Sequence, residues 1–169
     1  MNNERIANFC PACGARLEWR ERFGKVRPVC PACGHILFFD PKVAVVAFLR
    51  QDNRILLVKR GVDPGKGRWA FPAGYVDAGE NPEDAIRREV LEETGLHVAE
   101  VRLLDVFSRD AGDGGTADII IAYAAQGVSG DLHPDDDAEA VAWFAREHLP
   151  DMVFATTAKL VARWLAGEI

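Results

Sequence analysis

Two apolar runs, at residues 43–49 and 119–125, have the length and β-branched content of buried strands. The first belongs to a predicted strand over 42–50, and a second strand is predicted over 54–60. The turn residues Gln51-Asp52-Asn53 between them suggest a hairpin. A loop rich in Gly and Pro spans 61–67 and leads into Arg68–Gly74. The pattern then predicts a helix over 82–94, where Asn81 suits the N-cap, Pro82 the first helical position and Gly95 the C-terminal stop. Glu83 and Asp84 complement the helix dipole, and Ile86 and Val90 can bury against a sheet. Further strands are predicted over 98–109, 116–126 and 138–144, and a second helix over 155–166. Strands interleaved with two helices predict a mixed α/β layer architecture. The glycine-rich stretch 110–115 lies between two strands with no helix N-terminus after it, so it reads as a hairpin tip rather than a phosphate cradle.

Phe38-Phe39-Asp40-Pro41 marks a junction, with Pro41 resetting the chain before a strand. It divides the sequence into a small unit over 1–38 and a main domain over 39–169. A hydrophobic content of 49% with 27% charged residues fits a folded globular protein. No stretch approaches the roughly 18–20 apolar residues of a membrane span. The first ten residues lack an apolar signal core, so a cytoplasmic setting is expected. A net charge of −6 argues against nucleic acid as a general partner. The charge is uneven, however, with +3 in residues 1–37 and −9 in the remainder.

All four cysteines fall in two copies of one pentapeptide, Cys10-Pro11-Ala12-Cys13-Gly14 and Cys30-Pro31-Ala32-Cys33-Gly34, with sixteen residues between the pairs. This spacing predicts a four-thiolate zinc site, with iron in the same cage as the alternative. A tight turn aims two sulfurs at one point, and the glycine after the second cysteine permits φ > 0. Four thiolates leave no open coordination position, so such a metal is structural. A disulfide reading suits a cytosolic setting poorly. A redox C-x-x-C would normally occur once, on a strand–helix turn. About 35 residues bury little core, so the unit should depend on its metal to fold.

On the predicted helix, Glu89, Glu92 and Glu93 stand at i, i+3 and i+4 and share one face. Like charges so placed repel, and a purely structural helix gains nothing from them. The bland reading is a solvated acidic face. Oxygen donors grouped without nitrogen or sulfur suit a hard cation, Mg²⁺ or Mn²⁺. The surrounding pattern decides between the two readings. Gly74 is followed after five residues by Glu80, and then after seven by Arg88-Glu89-Val90-Leu91-Glu92-Glu93-Thr94-Gly95-Leu96.

That pattern matches the Nudix hydrolase signature at every fixed position, and the sequence resembles this family over roughly residues 41–166. Gly67–Gly74 looks like the strand and loop that precede the signature, and Trp143-Phe144 resembles the strand end after it. A zinc ribbon joined to such a domain further resembles the branch that cleaves NADH, ADP-ribose or FAD. The resemblance implies an α/β/α sandwich around a mixed, curved sheet. It also implies Mg²⁺-dependent hydrolysis of a nucleoside diphosphate derivative, with ADP-ribose, giving AMP and ribose 5-phosphate, ahead of FAD. The NADH-cleaving members carry Ser-Gln-Pro-Trp-Pro-Phe-Pro after the signature, where this chain reads Val106-Phe107-Ser108-Arg109-Asp110-Ala111. NADH therefore ranks lower.

By the same resemblance Glu89 and Glu93 are the principal metal ligands, and Glu92 and the Ala73 carbonyl are further ones. Glu80 holds the loop or a metal, and Arg88 orients the glutamates. The general base in related enzymes is often a Glu well after the signature. Asp135-Asp136-Asp137-Ala138-Glu139 supplies candidates here, with Glu139 preferred. Trp69 and Phe71, and also Phe107, are candidates to stack on a base, against the reading that strand aromatics are core. The four histidines have no metal-ligand spacing. Many relatives are homodimers. A regulatory nucleotide sensor with a ribbon that binds nucleic acid or protein is the competing function, but a sensor would be expected to lose the helix carboxylates. Hydrolysis of an RNA 5′ cap is a third reading with no dedicated sequence feature.

Overall fold

A computed structural model of the chain describes residues 7–108 and 118–169. The glycine-rich stretch 110–115 and the adjoining ends of the two strands predicted around it lie outside the described residues. The chain divides into two compact units, Met1–Asp40 and Pro41–Ile169.

The first unit is an antiparallel hairpin, β1 (Glu18–Arg22) and β2 (Lys25–Val29), flanked by the two cysteine pentapeptides. The pentapeptides fold identically. Gly14 N–H donates to the Cys10 carbonyl (2.9 Å) and Gly34 N–H to the Cys30 carbonyl (3.0 Å). Cys10 and Cys30 N–H donate to Ala15 and His35 (both 2.8 Å). Both glycines take the left-handed φ that the sequence demanded, 75° and 78°. The small core consists of Cys10, Cys30 and Leu17, far too little apolar area to offset chain entropy without a cross-link.

The second unit contains β3 (Val43–Gln51), β4 (Arg54–Arg60), β5 (Trp69–Ala70), β6 (Ala73–Tyr75), α1 (Pro82–Thr94), β7 (Leu96–Ser108), β8 (Ile119–Gly130), β9 (Ala138–Ala145) and α2 (Ala155–Leu165). β3 and β4 form the expected hairpin but pair only next to their turn, Arg50 with Ile55 and Gln51 with Arg54. Beyond that they part. β3 pairs with β6 and, in parallel, with β8, while β4 pairs with β5 and β9. The segment from Trp69 to Tyr75 thus crosses from one half of the sheet to the other, fixed by the Ala47 N–H to Pro72 carbonyl bond (2.9 Å). β5 falls in the strand-and-loop segment expected over Gly67–Gly74, while the short β6 and the hairpin β1–β2 carry no apolar alternation that marks them in the sequence. β7 starts at Leu96, directly after the helix stop, and β8 runs on to Gly130.

The middles of β3 and β4 are apolar at every position because both faces are covered. Val45, Ala47, Leu49 and Leu56 pack with Ile86 and Val90 of α1. Val46, Phe48, Ile55 and Leu57 point the other way, onto Leu160, Val161 and Trp164 of α2. The result is the α/β/α sandwich with a mixed sheet. Ile86 and Val90 are fully buried, each contributing about 1.5–3 kcal/mol. Asn81 caps α1 by accepting the Glu83 N–H (2.9 Å), and Gly95 closes it at φ 71°. No helix among the described residues is long and apolar enough to cross a membrane.

Candidate active site

The glutamates of α1 sit in distinct surroundings. Glu89 and Glu93 are 8% and 3% exposed, whereas Glu92 faces solvent. Burial pushes the Glu89 carboxyl up, an effect opposed by the adjacent Arg88 guanidinium. Burial raises Glu93 well above the ordinary range, with Asp137 and Glu89 adding to the rise and the Ala73 N–H opposing it. That N–H donates to Glu93 Oε2 at 3.0 Å. Gly74 lies against Glu89, and a Cβ there would fall 2.0 Å from the Glu89 carboxyl carbon. Glycine is required at this point by close approach, not by φ.

Arg88 organises the group. Its Nε and Nη2 grip the two oxygens of Glu80 at 2.9 and 3.0 Å. Nη1 donates to Glu89 (2.7 Å) and Glu92 (2.9 Å), and Nη2 also reaches the Tyr75 carbonyl (3.0 Å). Five contacts use the five N–H donors of a guanidinium. Glu80 is held down at about 2 by Arg88 first and by the Asp77 N–H second. Arg88 itself is pushed further up, chiefly by Glu80. Glu80 is thereby committed to the loop that leads into the helix.

A cavity of about 370 Å³ opens above these carboxylates. Its lining brings Glu89, Glu93, Gly74 and Arg88 together with Asp136 and Asp137. The acidic loop is hung on the end of α1: His133 N–H donates to the Thr94 carbonyl (3.0 Å) and Asp135 N–H to that of Glu93 (3.4 Å). The left-handed φ of Asp136, 51°, turns the chain back toward the helix. The remaining lining includes Arg60, Phe71, Tyr75, Phe154, Thr156 and Thr157. Arg60 is anchored through its Nε to the Pro64 carbonyl (2.7 Å), and its guanidinium lies 5.3 Å from the Phe154 ring centre.

Several predicted site residues are placed elsewhere. Glu139 is absent from the described cavity lining, and it forms an exposed ion pair with Lys59 at 3.0 Å. Trp69 is also absent from the lining, and its ring meets Phe144 edge-on at 4.7 Å, as a core aromatic does. Phe71 does line the cavity but is fully buried under it. Phe107 packs with the α2-side core instead. Ala73 donates its N–H to Glu93, and its carbonyl is the atom that the resemblance assigns to the metal. Sequence reasoning missed Arg60, Tyr75, Phe154 and the two threonines. A left-handed φ of 69° at Phe154, directly before α2, has no signal in the sequence.

The four cysteine sulfurs gather within 4.8 Å of one another, with Cys10–Cys33 at 3.7 Å and Cys13–Cys30 at 3.5 Å. A tetrahedron with metal–sulfur bonds of about 2.3 Å has edges of about 3.8 Å, so the donor set fits a zinc-sized ion. Among the described residues, no other group of three or more His, Cys, Asp or Glu is drawn so tight. The helix carboxylates suit a cation that keeps its own waters, as Mg²⁺ does.

A mixed sheet is clasped by two helices, and a carboxylate-lined cavity opens above the first. The NUDIX domain matches residues 40–165, and the chain belongs to the Nudix family. It is 39% identical over 118 residues to an ADP-ribose pyrophosphatase of Methanocaldococcus jannaschii, covering 70% of each chain. It is 30% identical over 146 residues to the NAD-capped RNA hydrolase NudC of Vibrio parahaemolyticus, covering 84% of this chain. The chain spans about half the length of that relative, 52%. The crystal structure of a NUDIX hydrolase from Nitrosomonas europaea superposes with a TM-score of 0.77 at 25% identity, covering 95% of this chain and 91% of that one.

Proposed function

We propose that this Nudix hydrolase cleaves the pyrophosphate bond of ADP-ribose, adding one water to give AMP and ribose 5-phosphate. The observation that carries the reading is the buried pair Glu89 and Glu93, which share the lining of one cavity with Asp136, Asp137 and Arg60. The relative 39% identical to it, named ADP-ribose pyrophosphatase, supports the choice of substrate. The NudC relatives make an NAD-type diphosphate linkage the second substrate class to test.

Glu89 and Glu93, with the solvent-facing Glu92 and the Ala73 carbonyl, would hold Mg²⁺, or Mn²⁺ in its place. When bound, such a cation would offset phosphate charge and lower the pKa of the attacking water. Gly74 leaves Glu89 room, and Arg88 fixes the orientation of Glu89 and Glu92 without a donor to spare for substrate. Arg60 meets a phosphate oxygen with its remaining N–H groups. Asp137, beside Glu93, takes the proton of the attacking water, the role first considered for Glu139. Phe154 and Tyr75 offer ring faces within the same cavity to a base or ribose. The four cysteines, none of them in a disulfide, would hold a structural Zn²⁺ as thiolates.

The test is a turnover panel of ADP-ribose, FAD, NADH and a nucleoside triphosphate, each with Mg²⁺ and with EDTA, and with Glu93→Gln as control. Glutamine still accepts the Ala73 N–H, so the variant should fold. ADP-ribose cleavage that requires Mg²⁺ and vanishes in the variant is expected. Nucleotide binding without turnover of any substrate would overturn the assignment.

A further inference from the structure

The hairpin β1–β2 has two features that a purely structural ribbon does not call for. Its tip is Phe23-Gly24, both at positive φ, 52° and 69°. Two-residue hairpin turns of this form favour Asn-Gly, because an ordinary side chain is strained in the left-handed region. Phe23 takes that strain and gains little burial from it: the residue is 74% exposed. It stacks against Phe38, itself 51% exposed, with ring centres 6.2 Å apart and planes 24° from parallel.

The second feature is electrostatic. Arg20 stands directly across from Arg27, and Arg22 from Lys25. Alternation along the strands puts all four cations on one face. Like charges directly opposite one another destabilise a hairpin, and two such pairs are adjacent here. Glu18 offsets one of them through Arg20 (2.5 Å). Arg27 lies 5.1 Å from the Phe38 ring centre, which joins the charged face to the aromatic pair.

We infer that this face is a docking surface for single-stranded nucleic acid, with bases stacked on Phe23 and Phe38 and phosphates along Arg20, Arg22, Lys25 and Arg27. Exposed rings require unpaired bases, since a duplex keeps its faces stacked. The cations account for the backbone, and an acidic peptide would leave the rings without a planar partner. With −9 in the rest of the chain, the ribbon at +3 is where a polyanion is attracted. The inference stands independently of the hydrolase substrate.

The test is fluorescence anisotropy of labelled 15-mer single-stranded RNA and DNA, and of the RNA duplex, with the full-length zinc-loaded protein at several salt concentrations. Four phosphate contacts predict a slope of log K against log salt of about −3 for a single strand. Phe23→Asn suits the turn better than phenylalanine does, so it keeps the hairpin while removing the ring. It should weaken binding by roughly 5- to 150-fold with little change in slope. Arg22→Ser with Lys25→Ser should flatten the slope by about 1.4. Zinc content, measured on each variant, confirms that the ribbon is intact. Tighter RNA than DNA binding, or the reverse, identifies the strand. No binding, binding insensitive to Phe23→Asn, or equal affinity for the duplex overturns the inference. So does a dimer that Phe23→Asn dissociates while nucleic-acid binding is unchanged, since the rings would then join two copies of the chain.

Discussion

Gly74→Ala isolates one element of the active site. The backbone there has an ordinary φ, so alanine brings no intrinsic strain, and stiffening the unfolded chain would by itself stabilise by about 0.4–1 kcal/mol. The opposing effect is local. The new Cβ would sit 2.0–2.2 Å from the carbon and both oxygens of the Glu89 carboxyl, where ordinary contact begins at 3.4 Å. The carboxylate must therefore retreat by about 1.4 Å, breaking its 2.7 Å bond to Arg88. A charge-assisted bond of this kind contributes about 1.5–3 kcal/mol. The net loss of stability is then about 0.5–2.5 kcal/mol, and the fold survives. Catalysis has no such margin, since a misplacement of about 1 Å at a reacting group costs roughly 100-fold. Steady-state ADP-ribose hydrolysis should fall by about 100-fold in kcat, with a thermal midpoint only a few degrees lower and a weakened Mn²⁺ affinity. Activity within threefold of the parent at saturating Mg²⁺ would refute the role given to Glu89. A loss of activity matched by a loss of folded protein would refute the claim that the contact is local.

Other outcomes follow from the same geometry. Glu80 is held at about 2, below its unfolded value of 4.5. Its stabilising effect is therefore complete above about pH 4.5 and is lost as pH falls toward 2, so Glu80→Gln should flatten acid denaturation curves over that window. Glu139→Gln should keep activity within about threefold, while Asp137→Asn should lower kcat by roughly 100-fold or more; the reverse order would restore Glu139 as the base. Arg60→Ala should reduce kcat/KM for ADP-ribose by roughly 10- to 150-fold through the lost charged contact, and an unchanged value would remove it from substrate recognition. Chelating the ribbon metal should abolish the near-ultraviolet signal of Trp19 and release one zinc per chain by elemental analysis; a signal that persists would mean that the ribbon folds without metal.

The sequence discloses what is local. Asn81, Pro82 and Gly95 bound the helix because caps depend on a few consecutive residues, and the structure places its ends at those positions. The cysteine pairs are equally legible, since each turn is completed within five residues. Arg60 and Phe154 reach the cavity only after β4 and the start of α2 are brought together across the sheet, and no period records that meeting. The separation of Glu139 from the cavity lining has a related cause. It lies inside β9, opposite a register shift at Lys59 and Arg60, while Asp136 and Asp137 precede the strand, where the chain still curves toward α1. Composition treats these acids alike, and only chain direction separates them. Trp69 reads as a ligand platform because aromatic residues serve both core and site, and its neighbour Phe144 lies 75 residues further on.

The full engagement of Arg88 also bears on where the ordering of the site occurs. A long, charged side chain and the carboxylates around it each lose rotamer freedom when fixed, and each such loss is worth about 0.5–1.5 kcal/mol at a binding event. Here four hydrogen bonds from one guanidinium immobilise Glu80, Glu89 and Glu92 in the folded chain itself, and a fifth goes to the Tyr75 carbonyl. The entropy of that arrangement is surrendered once, when the polypeptide folds, and not at each encounter with a nucleotide. Lysine, with three donors at a single point, has no means of holding the same constellation.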